Sequence, residues 1–376
     1  MSHNRACAPH RILIVNPFGI GDVLFTTPMV RAVRQAFPEA YLGYLCNRRT
    51  EPVLRRNPHL NAVFVYEKDE IIRLWRTGWW RGMTAITDLM RQVRQARFNW
   101  VLDVSLGERY SFVLQCLGIP RLAGFNYRRR GRFLTEAFAI DGYQGDHVVD
   151  HYRRLLDFVG IKLGQCSLEL DVSDEDKRWA DAWLAAHRFT GDQMLVGFVP
   201  AGGVSWGIDA PFRRWSFDGF ATVADALIER YGATVLLFGE AADVPICARV
   251  TRLMKHPAVD VSGQTTLGQF ASLLSHLALV ICNDGGPLHL AVSRRVKTVS
   301  IFGPVDPAVY GPVDDGTTLH ATVYRPELPC RPCYHQFKLP PCPYERACLT
   351  MIDPADVLKA CEEALKGAVS RPALRS

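Results

Sequence analysis

The sequence predicts an α/β chain made of two doubly wound halves, each with a parallel sheet. Three observations carry that expectation. At 376 residues the chain has room for two domains of roughly 100–200 residues each. Short β-branched apolar runs alternate with stretches of helical periodicity, as in parallel strands joined by crossover helices. The alternation also breaks near residue 170 and then starts again.

In the first half, Arg11–Asn16 (RILIVN) reads as a buried strand and Pro17–Gly21 as a glycine turn. Asp22–Phe37 then has helical spacing, with Val23, Met29, Val30, Val33 and Phe37 on one side. Tyr41–Leu45 and Val63–Tyr66 read as strands, Thr84–Arg97 as a helix and Trp100–Val104 as the next strand. A polar helix at Ser173–His187 carries the boundary, with the linker near residues 171–192. The second half reads strand Met194–Val199, helix Trp215–Tyr231, strand Thr234–Phe238, helices Val244–Lys255 and Leu267–Ser275, strand Leu277–Cys282, helix Pro287–Arg294 and strand Thr298–Phe302. A last helix, Pro354–Leu365, follows a Pro/Cys-rich loop. The expected domains are therefore 1–172, 173–352 with a Cys-rich loop at 330–348, and a C-terminal helix and tail at 353–376.

Composition narrows the function classes. With 48% hydrophobic and 22% charged residues, the chain is globular and not disordered or fibrous. No run approaches the ~18 apolar residues of a membrane span. The polar start, with no apolar stretch after it, reads as lacking a secretory signal, and the expected compartment is the cytosol. There, eleven cysteines are expected as thiols or metal ligands, not bridges. The net charge of +6 is uneven: residues 1–170 hold 24 Lys+Arg against 15 Asp+Glu, and residues 171–376 hold 20 against 23. A basic first half points to an anionic partner, or to a solvated basic face.

In open α/β sheets, ligands bind beyond the carboxyl ends of the strands, so the loops there hold the candidates. Pro17-Phe18-Gly19-Ile20-Gly21-Asp22 lacks the third glycine of a dinucleotide fingerprint, Leu24 standing in its place. Gly19 and Gly21 leave room for a ligand against the backbone. Asp22 reads either as a helix cap or as a general base held ionised at a helix start. Pro200-Ala201-Gly202-Gly203, followed by Arg213-Arg214-Trp215, reads as a diphosphate clamp or a solvated pair of arginines. Gly239-Glu240 offers a carboxylate for ribose hydroxyls or for capping the next helix. Asn283-Asp284-Gly285-Gly286-Pro287-Leu288-His289 follows a strand and opens a helix, an anion-binding arrangement. Asp284 there is expected to cap that helix, orient His289 or bind sugar hydroxyls. His289 itself is either a ligand contact or a packed core histidine. Phe302-Gly303-Pro304-Val305-Asp306-Pro307 forms a rigid loop after the last strand.

Taken in order over roughly residues 11–365, the Gly-x-Gly-Asp22 turn, Arg213-Arg214-Trp215, the Asn283–Ala291 run and Phe302–Pro307 resemble glycosyltransferase family 9, the lipopolysaccharide heptosyltransferases. The resemblance implies a GT-B fold, two Rossmann-like domains facing across a cleft. It implies inverting transfer of L-glycero-D-manno-heptose from ADP-heptose to an anionic Kdo–lipid A or inner-core acceptor. The acceptor is expected on the first domain and the donor on the second. Carried over by position, Asp22 matches the catalytic base. Arg213 matches a donor-diphosphate contact that is usually Lys, and Asp284 and His289 match the motif beside the donor's phosphates and sugar. The sequence departs from the family at Gly285, where Ser or Thr is usual, at Val305, usually Thr, and in a longer loop between Gly203 and Arg213.

The expected donor contacts are thus Gly202, Gly203, Arg213, Arg214, Glu240, Asp284, Gly285, Gly286 and His289. The expected acceptor contacts are Gly19, Gly21, Arg128, Arg129 and Arg130. The Arg128–Arg130 run with Arg132 suits acceptor phosphates or the acidic inner leaflet, and Trp75, Trp79 and Trp80 among Arg73, Arg76 and Arg81 suit a membrane interface or a packed loop. No Asp-x-Asp motif calls for a catalytic metal. Cys330-x-x-Cys333 with Cys342 and Cys348 reads as a structural zinc or iron set, or as packed thiols. Alternative functions are transfer from another nucleotide sugar or to a protein acceptor, an NAD-dependent oxidoreductase, and a metal-dependent nucleic-acid module. Leu24 weakens the oxidoreductase, and the last lacks aromatic stacking motifs.

Overall fold

The structure is a computed structural model and describes residues 10–66, 79–189, 191–202, 207–314, 316–317 and 319–366, the side chains of 79–86 and 208 excepted. It divides into two units, Met1–Tyr143 with Val148–Cys166, and Gln144–His147 with Ser167–Ser376.

The first unit is built on six parallel strands: β1 (Arg11–Val15), β2 (Tyr41–Cys46), β3 (Ala62–Val65), β4 (Trp100–Asp103), β5 (Arg121–Tyr127) and β6 (Glu136–Ile140). Their order is β3-β2-β1-β4-β5-β6, the dinucleotide-fold order. β1 lies between β2 and β4 because its face-to-face apolar residues, Ile12 to Val15, are buried on both sides. Strand order reverses between β1 and β4, and the loops leaving those two strands therefore diverge and open a crevice at the sheet edge. The Asp22 loop leaves β1 there.

The second unit repeats the plan with β7 (Leu195–Val199), β8 (Thr234–Leu237), β9 (Val259–Asp260), β10 (Leu279–Asn283), β11 (Thr298–Ile301) and β12 (His320–Val323). The order β12-β11-β10-β7-β8-β9 places its reversal between β7 and β10. The Gly202 loop leaves β7 and the Asp284 loop leaves β10, so both candidate loops sit at the reversal. The helices follow their local signals. Ser173 and Ser216 cap Asp174–Ala186 and Phe217–Tyr231 by accepting from Asp176 N and Gly219 N, and Thr266 and Gln269 form a capping box on Leu267–Leu274. The C-terminal helix, Pro354–Lys366, belongs to this unit. Val357, Cys361 and Leu365 are buried in the same core as Phe198, Phe220 and Trp215.

The helix expected over Asp22–Phe37 is two helices, Ile20–Phe25 and Thr27–Ala36. Thr26 turns the chain between them, its hydroxyl donating to Val23 O at 2.7 Å, and Pro28 follows at the start of the second helix, a position where its missing N–H costs nothing.

Candidate active site

In the first unit, Gly19 is the N-cap of Ile20–Phe25 and Asp22 is its third residue. Asp22 Oδ2 accepts from the Gly19 N–H at 3.1 Å, and Asn16 Nδ2 donates to the Asp22 carbonyl at 3.1 Å. The loop is therefore stapled at both ends, and the carboxylate stands half-exposed in the first turn, where the helix dipole favours its charge. Accepting from the Gly19 N–H does not itself preclude a base role for the carboxylate. The hydroxyls of Tyr44, Tyr143 and Tyr152 are close enough for the Asp22 charge to act on them. Burial first, with Asp22 adding, pushes all three well above the usual phenol range. Gly21 lies inside the same turn. Arg128, Arg129 and Arg130 form an exposed turn at the carboxyl end of β5, with Arg128 and Arg130 over the Tyr127 ring at 5.1 and 5.8 Å.

A carboxyl that sequence reasoning missed sits at the same edge. Asp103 ends β4 beside Val15 and accepts from Ser105 N at 2.9 Å. Burial raises its pKa from 3.8 to about 6. The folded state thus holds a proton that the unfolded chain releases. That contribution to stability is complete below about pH 4 and is lost as pH rises through about 6. Asp103→Asn removes the titration and keeps an acceptor for Ser105. Urea melts should show the variant gaining about 2–3 kcal/mol on the wild type between pH 4 and pH 8. Parallel pH profiles would contradict this assignment.

In the second unit the reversal gathers most of the expected donor residues. Asn283, fully buried at the end of β10, donates from Nδ2 to Pro200 O at 2.7 Å and accepts at Oδ1 from Trp215 N at 2.9 Å. It thereby ties the β7 loop to the chain between Arg213 and the helix Phe217–Tyr231. Gly202, at φ 74°, lies against Asn283, and a Cβ on Gly285 would sit 2.2 Å from Gly202 O. Both glycines are needed for two loops to pass this closely. Gly286 begins the helix Gly286–Ser293, whose start has no side-chain cap. Arg213, 8% exposed, places Nη2 2.5 Å from Asp284 Oδ2. Asp284 therefore does not cap the helix as one sequence reading had it; it holds Arg213. Burial keeps the Asp284 carboxyl above its usual range even with the guanidinium beside it. Arg214 Nε donates to Ala201 O at 2.8 Å, so it is not a solvated partner of Arg213. His289 is buried, and its pKa falls to about 3, by burial first and then by the charges of His147, Arg213 and His320. It is a neutral imidazole at pH 7.

Glu240 lies after β8 at this edge but is exposed. Its N–H donates to Asp243 Oδ2 at 3.0 Å, and no hydrogen bond described here joins it to the other site residues. Gly203 lies outside the described residues, as do Arg73, Trp75 and Arg76; of Trp79, Trp80 and Arg81 only the backbone is described. No helix among the described residues is long and apolar enough to cross a membrane. His147 was missed by sequence reasoning. Its Nε2 meets Gly311 O at 3.1 Å, and nothing in its local pattern marks it.

Cys330, Cys333, Cys342 and Cys348 all line one cavity of about 370 Å³, as free thiols. Cys333 Sγ donates to Cys330 O at 2.9 Å, and Cys342 Sγ accepts from Arg346 N at 3.3 Å. Burial raises the Cys333 thiol to about 11. The expected four-thiolate metal set is not assembled. Among the described residues, no group of three or more His, Cys, Asp or Glu side chains is placed to hold a metal ion. Of the four sulfurs, those of Cys333 and Cys342 have backbone partners.

Comparison with known proteins gives concordant matches. The family model described as glycosyltransferase family 9 (heptosyltransferase) matches residues 86–339. The lipopolysaccharide core heptosyltransferase OpsX of Haemophilus influenzae is 21% identical over 320 residues, covering 83% of this chain and 85% of the relative. A glycosyl transferase family 9 crystal structure from Veillonella parvula superposes with a TM-score of 0.79 at 23% identity, covering 95% of this chain and 98% of that one. The ADP-heptose lipopolysaccharide heptosyltransferase II of Escherichia coli superposes with a TM-score of 0.72 at 20% identity, covering 96% and 100%. The two parallel six-stranded units are those of the GT-B fold.

Proposed function

The chain belongs to glycosyltransferase family 9, and from that premise we propose that it transfers a heptose from an ADP-heptose donor, with inversion, to an anionic lipopolysaccharide inner-core acceptor at the cytoplasmic face of the inner membrane. The observation that carries the donor half is the paired Arg213–Asp284 beside the uncapped start of Gly286–Ser293. Free amides at a helix start and a guanidinium are what a diphosphate needs. The Gly202–Gly285 approach brings main chain, not side chains, to that spot.

The reaction in this reading is a single displacement. Asp22 takes the proton of the acceptor hydroxyl while that oxygen bonds to the anomeric carbon of the heptose. The bond from that carbon to the diphosphate oxygen breaks, and ADP leaves with the electron pair. Arg213, Arg214 and the amides of Gly285 and Gly286 face the growing negative charge, each preorganised donor contributing about 3 kcal/mol. Exposed Arg128, Arg129 and Arg130 take the acceptor's anionic groups.

Thermal-shift measurements with ADP, UDP, GDP and NAD test the donor assignment. ADP alone should stabilise the protein, by about 2.7 kcal/mol at a hundredfold excess over its Kd. Stabilisation by NAD alone, or by UDP in preference to ADP, defeats it.

A further inference from the structure

We propose that the Cys-rich segment and the chain that follows it, residues 329–352, brace the donor edge of the second unit, with Arg331 and Arg346 as its positioning residues. The proposal rests on the donor assignment above and adds to it the device that holds Arg213 and the β11 loop in place.

On one side the segment takes every carbonyl of the Gly303-Pro304-Val305 loop. Arg331 donates from Nε to Gly303 O at 2.6 Å and from Nη2 to Val305 O at 3.0 Å. Between them, Pro304 O accepts from the amides of Cys333 and Tyr334 at 2.9 and 3.2 Å. The loop cannot swing without breaking four hydrogen bonds at once. Gly303 also packs against the far end of the segment, where a Cβ would come within 2.8 Å of Leu349 Cγ.

On the other side the same segment holds both flanks of Arg213. Two residues before it, Pro211 O accepts from Arg346 Nη1 at 3.0 Å. Two residues after it, the Trp215 indole N–H donates to Ile352 O at 3.1 Å. Arg213 is thus suspended between two anchor points on one segment, and its pairing with Asp284 depends on both. The part of the segment leading up to Arg346 is rich in proline, at 329, 332, 340, 341 and 343, which limits its own freedom.

Arg346 is the better residue to vary, because it lies nearer the surface and one nitrogen makes the contact. Arg346→Met removes the donor and keeps the length; Arg346→Lys keeps one donor. Losing one hydrogen bond of about 1 kcal/mol that holds a ligand-binding segment corresponds to roughly five- to tenfold in affinity. Arg346→Met should therefore raise the ADP Kd, by calorimetry, and the donor KM about five- to tenfold, with kcat falling by less. Arg346→Lys should restore ADP binding to within about twofold. Hydrogen exchange needs no nucleotide: the amides of Phe212–Trp215 should exchange faster in Arg346→Met than in the wild type or in Arg346→Lys. If the wild type takes up no ADP the donor assignment falls, and exchange still decides the brace. Unchanged exchange in Arg346→Met, or equal loss in both variants, overturns the proposal.

Discussion

Asp22→Asn should lower kcat by ~10²–10⁴, the range that general-base catalysis supplies, and leave the melting temperature close to that of the wild type. The asymmetry follows from the loop. Asp22 does two things, and asparagine keeps one of them. The Gly19 N–H at 3.1 Å can be accepted by an amide oxygen as well as by a carboxylate, so the turn stays closed. The amide cannot take a proton from a hydroxyl near neutral pH. Asp22→Ala loses the cap as well and should cost about 1 kcal/mol of stability beyond the asparagine variant. ADP affinity should not move in either, because Asp22 belongs to the first unit and the donor assignment uses only residues of the second. Wild-type turnover in Asp22→Asn removes this residue from the chemistry and leaves it a cap.

Much of this was legible in the sequence, and the exceptions have physical causes. The strands at the centre of each sheet were readable because they are buried on both faces and so appear as continuous apolar runs, as in Ile12–Val15 and Leu279–Cys282. β5, β6, β9 and β12, all at or next to a sheet edge, were not, although the edge strand β3 was. β6 is half-buried in alternation, β9 has two residues, and β5 contains Gly124, present because a Cβ would sit 2.4 Å from Asp103 O. The break at Thr26 had a signal in Pro28 that helical periodicity masked. At the site, loop positions were readable because they follow strands, whereas partnerships were not. Asp284 and Arg213 are 71 residues apart, and only the placement of β10 beside β7 makes them neighbours. The Cys spacing foretold that four thiols gather around one cavity; it could not tell whether they come close enough together to hold a metal, because spacing reports only chain distance.

That partnership yields the second large effect. Asp284→Asn leaves the Arg213 guanidinium buried without its counter-charge, and removing one member of a buried pair costs about 3–5 kcal/mol. Two consequences separate this account from ordinary loss of packing. The double variant Arg213→Met/Asp284→Asn should recover most of the lost stability, because it removes the uncompensated charge, giving a coupling energy well above the ~0.5 kcal/mol of independent sites. ADP should also stabilise Asp284→Asn by more degrees than it stabilises the wild type at equal excess, since a diphosphate replaces the missing negative charge. Urea melts of the four proteins of the cycle, with and without ADP, measure both. Additive single and double effects would mean that Asp284 contributes by filling space, and that the donor's phosphates find their positive charge elsewhere.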